Sequence, residues 1–356
     1  MFTGCQNVEK IYVDELWTTE NVQTSDYMFN YCLKLVGQDG TEYKYGKEDA
    51  TYAHYKEDGY LSCLPKAYAV LEDDTLTFYY DILKPERTGT VFSMDKFEWT
   101  GETYRNAITT ISFDAAFKDY YGLTSTATMF SRMENLITID GLDYLSTDSV
   151  TDMSAMFSGC QSLTSLDLSN FNTEKVTDMS WMFGICQSLD SLNLGSFDTG
   201  NVTKMNAMFS GCENLDTLYI GSFNTENVIK MNGMFTGCKK LTALNFNNFD
   251  TRKVEDMNTM FSDCQGLTSL DLTTFNTENV TKMSGMFSGC ENLTSISYDP
   301  DMFATDNVTD MSSMFSGCQK LDTIDVSKFN TENVTKMSSM FSECQALTTI
   351  YVGDNW

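Results

Sequence analysis

The sequence predicts an α/β repeat solenoid: short strands stacked in one parallel sheet, joined by short helical or 3₁₀ returns, in 26-residue coils, with a small β cap. Three observations predict it. The pair Met-Phe recurs at Met129, Met156, Met182, Met208, Met234, Met260, Met286, Met314 and Met340, at intervals of 27, 26, 26, 26, 26, 26, 28 and 26. Apolar spacing changes within each unit, from two residues in one half to three and four in the other. A cysteine stands four residues after eight of the nine repeat methionines. A fixed period of this length is the mark of stacked coils, each unable to bury its apolar face alone.

The strand half comes first. Leu163, Leu166 and Leu168 follow L-x-x-L-x-L, the spacing of a leucine-rich-repeat-like parallel sheet with one short strand per coil. The last two of each trio are two apart, so both point inward. Phenylalanine then closes the strand at Phe171, Phe197, Phe223, Phe249, Phe275, Phe303 and Phe329. In the return half, Val176, Met179, Met182, Phe183 and Cys186 are spaced for a short helix or 3₁₀ segment with one buried face. Stacking sets the coils about 4.8 Å apart. The 28-residue interval falls at Asp299-Pro300-Asp301, which reads as a loop that absorbs two extra residues.

Outside the array, four segments are expected. Residues 1–37 carry Met1-Phe2 and Met28-Phe29, 27 apart, and read as the last coils of an upstream array. Residues 38–64, polar and tyrosine-rich, read as an array-ending cap or connector. Residues 65–128 hold strand-like runs such as Thr75-Leu76-Thr77-Phe78-Tyr79-Tyr80 and read as a β-rich N-terminal cap. Residues 129–356 are the nine repeats, whose C-terminal cap is expected to be missing. Ile350-Tyr351-Val352 to Trp356 is similar to Ile11-Tyr12-Val13 to Trp17, after which the earlier array goes on to its cap. The chain therefore reads as a segment of a longer polypeptide.

Composition narrows function. Fifty acidic against 23 basic side chains give a net charge of −27, which repels phosphates and argues against nucleic acid and anionic membrane surfaces. No apolar run reaches the length of a membrane span. The single histidine, His54, leaves no histidine-based triad or multi-histidine metal site. The cysteines lack C-x-x-C clustering, so they read as a buried ladder of reduced thiols, with inter-rung disulfides as the alternative. Asn201, Asn279, Asn307 and Asn333 begin N-x-T sequons but recur with the repeat, and read as turn formers bonding locally to backbone. No catalytic residue, cofactor site or metal site is expected. A catalytic site on a solenoid would break the repeat in one coil, and the coils read as uniform.

The candidate ligand face follows from strand alternation. The residue between the two inward positions points outward, giving the row Asp167, Asn193, Tyr219, Asn245, Asp271, Ser297, Asp325 and Tyr351. Drift at an exposed position explains its variety as simply as binding does. Tyrosine is the type expected to anchor a ligand.

The unit MFSGCQSLTSLDLSNFNTEKVTDMS resembles the repeats of the BspA-like family of leucine-rich-repeat surface proteins, in the subtype built on V-T-x-M-x-x-M-F-x-x-C. Leu35 to Tyr43 with Asp49 to Ala53 is similar to that family's array-ending segment, and Ala67 to Asp81 to its array-opening one. The resemblance implies a non-catalytic bacterial cell-surface adhesin or binding scaffold with an extracellular protein or glycan as partner, otherwise monomeric. It implies a signal and an anchor outside this segment. A structural spacer or stalk is the alternative, and a polysaccharide-active solenoid enzyme a more distant one.

Overall fold

The computed structural model describes residues 1–13, 17–54 and 59–356. The comparison of residues 11–17 with 350–356, and the connector around residue 56, lie partly outside these. Two separate buried clusters organise the chain. The smaller gathers Val13, Met28, Phe29, Cys32, Leu35, Tyr60 and Leu61. The larger runs without interruption from Ala69 to Met340.

In the first cluster, the short strands β1 (Tyr12–Val13) and β2 (Ser62–Cys63) pair in parallel. The N–H groups of Phe2 and Gly4 donate to the carbonyls of Met28 and Asn30, at 2.7 and 2.6 Å. The same pattern recurs in the large array, where Phe157 and Gly159 donate to Met182 and Gly184. Residues 1–5 and 27–32 thus form two successive returns.

The large array opens on a five-stranded sheet. β3 (Lys66–Glu72), β4 (Thr75–Asp81), β5 (Thr90–Ser93), β6 (Thr110–Phe113) and β7 (Thr138–Asp140) stand in the order β5-β3-β4-β6-β7. Pairing is antiparallel for β5-β3-β4 and turns parallel at β4-β6 and β6-β7. This sheet converts a hairpin into the first coil. Beneath it, buried Trp99 donates its indole N–H to the Met129 carbonyl at 2.8 Å, tying this sheet to the first Met-Phe pair of the array.

The coil from Val176 to Phe197 buries the expected set: Val176, Met179, Met182, Phe183, Cys186, Leu189, Leu192, Leu194 and Phe197 are all buried. The return is a run of hydrogen-bonded turns and not the expected short helix or 3₁₀ segment. Met156, Ser158 and Cys160 donate to carbonyls three residues back, while the alternate N–H groups of Met153, Ala155, Phe157 and Gly159 reach the next coil. Every backbone donor of this run is therefore used, half within the coil and half between coils. Bridges from Ser125 through Asp152, Asp178, Lys204, Lys230, Asp256, Lys282 and Asp310 to Lys336 run unbroken down the array.

This geometry asks two residues per return to take positive φ, which glycine meets without steric cost. Glycine fills the second place at Gly159, Gly211, Gly237, Gly289 and Gly317. Ile185 holds the same place at φ 61°, an outlier for a β-branched side chain. Ile185→Gly is expected to raise unfolding free energy by about 0.5–1 kcal/mol in urea titration, since relief of left-handed strain exceeds the entropic cost of glycine. A lower midpoint would mean that the Ile185 side chain is held by packing rather than strained.

The strand column differs from the return. β8 (Ser191–Asn193) pairs only with β9 (Thr217–Tyr219), β10 (Ser269–Leu272) only with β11 (Ser295–Tyr298), and β12 (Thr323–Val326) only with β13 (Thr349–Val352). All three pairs are parallel. Stacked return phenylalanines stand 5.4–5.9 Å apart from Phe157 to Phe341. The strand-closing rings Phe223, Phe249 and Phe275 stand 6.4 and 6.5 Å apart. From Phe223 to Phe275 the coils are therefore closer at the return than at the strand end, whereas Phe303 and Phe329 stand 5.9 Å apart, like the return rings. The expected single sheet is thus divided into pairs, and the continuous ladder lies on the other side of the coil.

Candidate functional site

The cysteines occupy the middle of the core. Each thiol donates to the carbonyl of the phenylalanine one coil back: Cys160 to Phe130, Cys186 to Phe157, Cys212 to Phe183 and Cys238 to Phe209, at 3.0–3.2 Å. Burial pushes the Cys160, Cys212 and Cys290 thiols up to about 12. These groups are packed, hydrogen-bonded thiols without nucleophilic character at neutral pH.

The sequon asparagines work between coils, not locally as expected. Asn201, Asn279, Asn307 and Asn333 donate their side-chain amides to the carbonyls of Glu174, Arg252, Glu278 and Asp306, all at 2.7 Å. The threonines two residues after the closing phenylalanines form a second ladder. Buried Thr173, Thr199, Thr225 and Thr251 donate to Asp198, Asn224, Asp250 and Asn276 carbonyls at 2.7–2.9 Å. On the outside of the return, some of the acids face lysines: Asp178–Lys204 at 2.8 Å, Asp310–Lys336 at 3.3 Å and Asp256–Lys282 at 3.5 Å. These recurring polar residues stitch one coil to the next.

The outward row is exposed along its length. Pairing sets Asn193 beside Tyr219, Asp271 beside Ser297 and Asp325 beside Tyr351. Five members have a local task that alternation alone does not reveal. Asp167, Asn193, Asn245, Asp271 and Asp325 each accept the backbone N–H two residues on, from Ser169, Gly195, Asn247, Thr273 and Ser327, at 2.8–3.0 Å. These are Asx turns that end the strand. Hydrogen bonds from Ser169 hold the Asp167 carboxyl below its ordinary range, and those from Thr273 and Ser327 do the same for Asp271 and Asp325. Drift therefore does not explain the Asp and Asn of this row; the turn does. Tyr219 and Tyr351 remain as large side chains, 60% and 55% exposed.

The coils are not uniform, contrary to the expectation from the repeat. Between β11 and β12 the sheet is interrupted and a cavity of about 390 Å³ opens. It lies at the 28-residue coil. Tyr298 stands at the inward position held elsewhere by Leu168, Leu194, Ile220, Phe246, Leu272 and Val326. In the coil before β9, the Leu194 N–H donates to the Tyr219 carbonyl at 3.1 Å. At the break, the equivalent carbonyl, that of Asp325, instead accepts the Tyr298 hydroxyl. The two extra residues form a turn in which the N–H groups of Met302 and Phe303 both donate to the Asp299 carbonyl. The loop absorbs the insertion, as expected, at the expense of strand pairing. The 28-residue interval and the Tyr298 substitution were the signals that could have located this break.

Among the described residues, no group of three or more His, Cys, Asp or Glu side chains is arranged to hold a metal ion. No helix among them is long and apolar enough to cross a membrane.

Stacked 26-residue coils with inward leucine pairs and a parallel strand column define a leucine-rich-repeat solenoid. The family described as "Mycoplasma protein of unknown function, DUF285" matches residues 124–218, 182–297 and 268–355, and the chain belongs to it. This is the repeat family associated with BspA-like leucine-rich-repeat surface proteins, as the V-T-x-M-x-x-M-F-x-x-C motif indicated. Among solved structures, the chain is similar to a leucine rich cell surface protein from Faecalibacterium prausnitzii A2-165, at 16% identity over 81% of this chain and 93% of that one, TM-score 0.35. It is similar to a leucine-rich repeat protein from Eubacterium ventriosum at 16% identity, over 81% and 83% of the two chains, TM-score 0.33. A leucine-rich repeat protein from Bacteroides ovatus shows 16% identity over 80% and 89%, TM-score 0.23. No curated protein matches the chain.

Proposed function

We propose that this chain is a non-catalytic binding scaffold displayed outside the cell, which holds a large protein or glycan ligand against its strand face. The observation that carries the reading is the exposure of Tyr219 and Tyr351, in the row whose Asp and Asn members are engaged in turns. A tyrosine exposed on a rigid strand offers apolar area and a polar tip at low entropic cost. The two stand five coils apart, a span that suits an extended ligand. Display outside the cell rests on the resemblance of the repeat to BspA-like surface proteins. The recurrent asparagines and threonines are taken up in coil-to-coil bonding, which supports the non-catalytic reading.

Tyr219→Ser combined with Tyr351→Ser is expected to lower adhesion to immobilised mucins or matrix proteins at least tenfold. Both backbones keep their strand bonds, so melting should stay within about 1 kcal/mol of the parent. Adhesion that survives this change and falls on substitution of Trp181 and Ile185, exposed on the return, would move the binding face to the other side. A parent chain that binds none of these surfaces would instead support the spacer reading.

A further inference from the structure

We propose that the break between β11 and β12 is a binding site for a flat, neutral or cationic aromatic group. The inference holds whether or not the strand face serves adhesion. Its walls are aromatic. Phe287 and Phe315 stack at 5.4 Å and 9°, Phe303 and Phe329 at 5.9 Å and 18°, and both pairs line the cavity. Tyr298 closes one side, its ring 5.1 Å from Phe303 and 6.2 Å from Phe329. The four phenylalanines are themselves buried, so half-buried Tyr298 is the ring that an incoming aromatic group would meet by stacking or edge contact.

Size and polarity agree with that occupant. An apolar cavity of about 150 Å³ holds benzene, and ligand pockets begin near 300 Å³. The space here is about 390 Å³, enough for one or two rings with a polar substituent. Ser297, Asp325 and Lys328 stand exposed at the rim, where such a substituent would find hydrogen-bond partners. The chain's net charge of −27 disfavours an anionic ligand.

The other breaks differ. The one between β7 and residues 164–167 is larger, about 520 Å³, but no aromatic side chain lines it, and Asp140, Asp143 and Asp167 do. The one between residues 244–247 and β10 is smaller, about 150 Å³. At Tyr298 the repeat departs in both length, by two residues, and side chain, an aromatic ring in the inward place. Unpaired strand edges and an open cavity cost stability.

The full chain is titrated with N-phenyl-1-naphthylamine, a neutral two-ring probe that fluoresces on burial. Saturable binding to one site is expected, displaced by 2-phenylethylamine or by a phenylalanine-bearing peptide. Displacement by the free amine marks a small-molecule site. Displacement by the peptide alone marks an anchor pocket for a partner's side chain. Two variants test the location. Tyr298→Leu with deletion of Pro300 and Asp301 restores a 26-residue coil and should close the break, while Ile324→Trp fills it. Each is expected to weaken probe binding at least tenfold, and the closed variant to melt at a higher temperature than the parent. Absence of saturable binding to the parent, binding that neither competitor displaces, or binding retained within twofold in the closed variant would overturn the proposal. If Ile324→Trp fails to fold, the closed variant decides alone.

Discussion

Met208→Asp is expected to split the array. Met208 is fully buried in the middle of the return column, and its backbone carbonyl accepts the Phe183 N–H at 2.9 Å. Burying an unpaired carboxylate costs about 3–5 kcal/mol even after partial relaxation. Met208→Ala, which only opens a cavity, should cost about 2–5 kcal/mol. Coils touch only their neighbours, so the damage should be local in origin and general in effect: the two halves lose their shared interface and unfold more independently. Urea titration should show an earlier, broader transition, and limited proteolysis should cut near residue 208. A midpoint unchanged in the aspartate variant would be incompatible with this packing.

Thiol reactivity should separate the native and unfolded states by orders of magnitude. Unfolded chain should consume eleven equivalents of a thiol reagent, one for each cysteine. In the native protein, half-buried Cys5 and Cys344 should react first and the nine buried cysteines far more slowly. The thiolate is the attacking form. Raising a thiol pKa from 9.0 to about 12, as burial does at Cys160 and Cys212, lowers its thiolate fraction at pH 8 by about 10³-fold before steric protection is counted. The sign follows from desolvation, which penalises the anion; reaction should therefore accelerate as pH rises. Low reactivity that persists in denaturant without reductant would mean that the cysteines are paired as disulfides.

The repeat made most of the core legible. Inward positions such as Met182, Phe183, Cys186, Leu192 and Phe197 follow from a 26-residue period and from spacing within it, because an elongated array offers each residue the same two surroundings, inside or outside. The cysteine ladder was legible as core, although its hydrogen bonds to phenylalanine carbonyls were not. The sequon asparagines were misjudged in one respect. They were expected to bond within their own turns, and instead Asn201 reaches the coil before it. Spacing within one chain does not distinguish a bond to residue i+2 from one to a residue a full coil away.

The residues of the candidate face are exposed, as alternation requires, but their chemistry was not legible. Asp271 and Asn193 are exposed, as alternation requires, and yet are engaged in ending their strands. What exposure left open, turn geometry decided. The break at Tyr298 shows the same division more sharply. Its two extra residues were visible, and a loop does absorb them.

By itself, the sequence determined the period, the inward ladders, the order of strand and return, and the family to which the chain belongs. These depend on local spacing and on the removal of apolar side chains from water, which composition along the chain already encodes. Only the tertiary structure decided which ladder is continuous, where the strand column opens, and which exposed polar groups are already engaged. Those outcomes depend on distances between coils. The returns, bonded by every second N–H, hold the coils close, and the strands accept whatever separation remains; at Tyr298 that separation becomes a cavity.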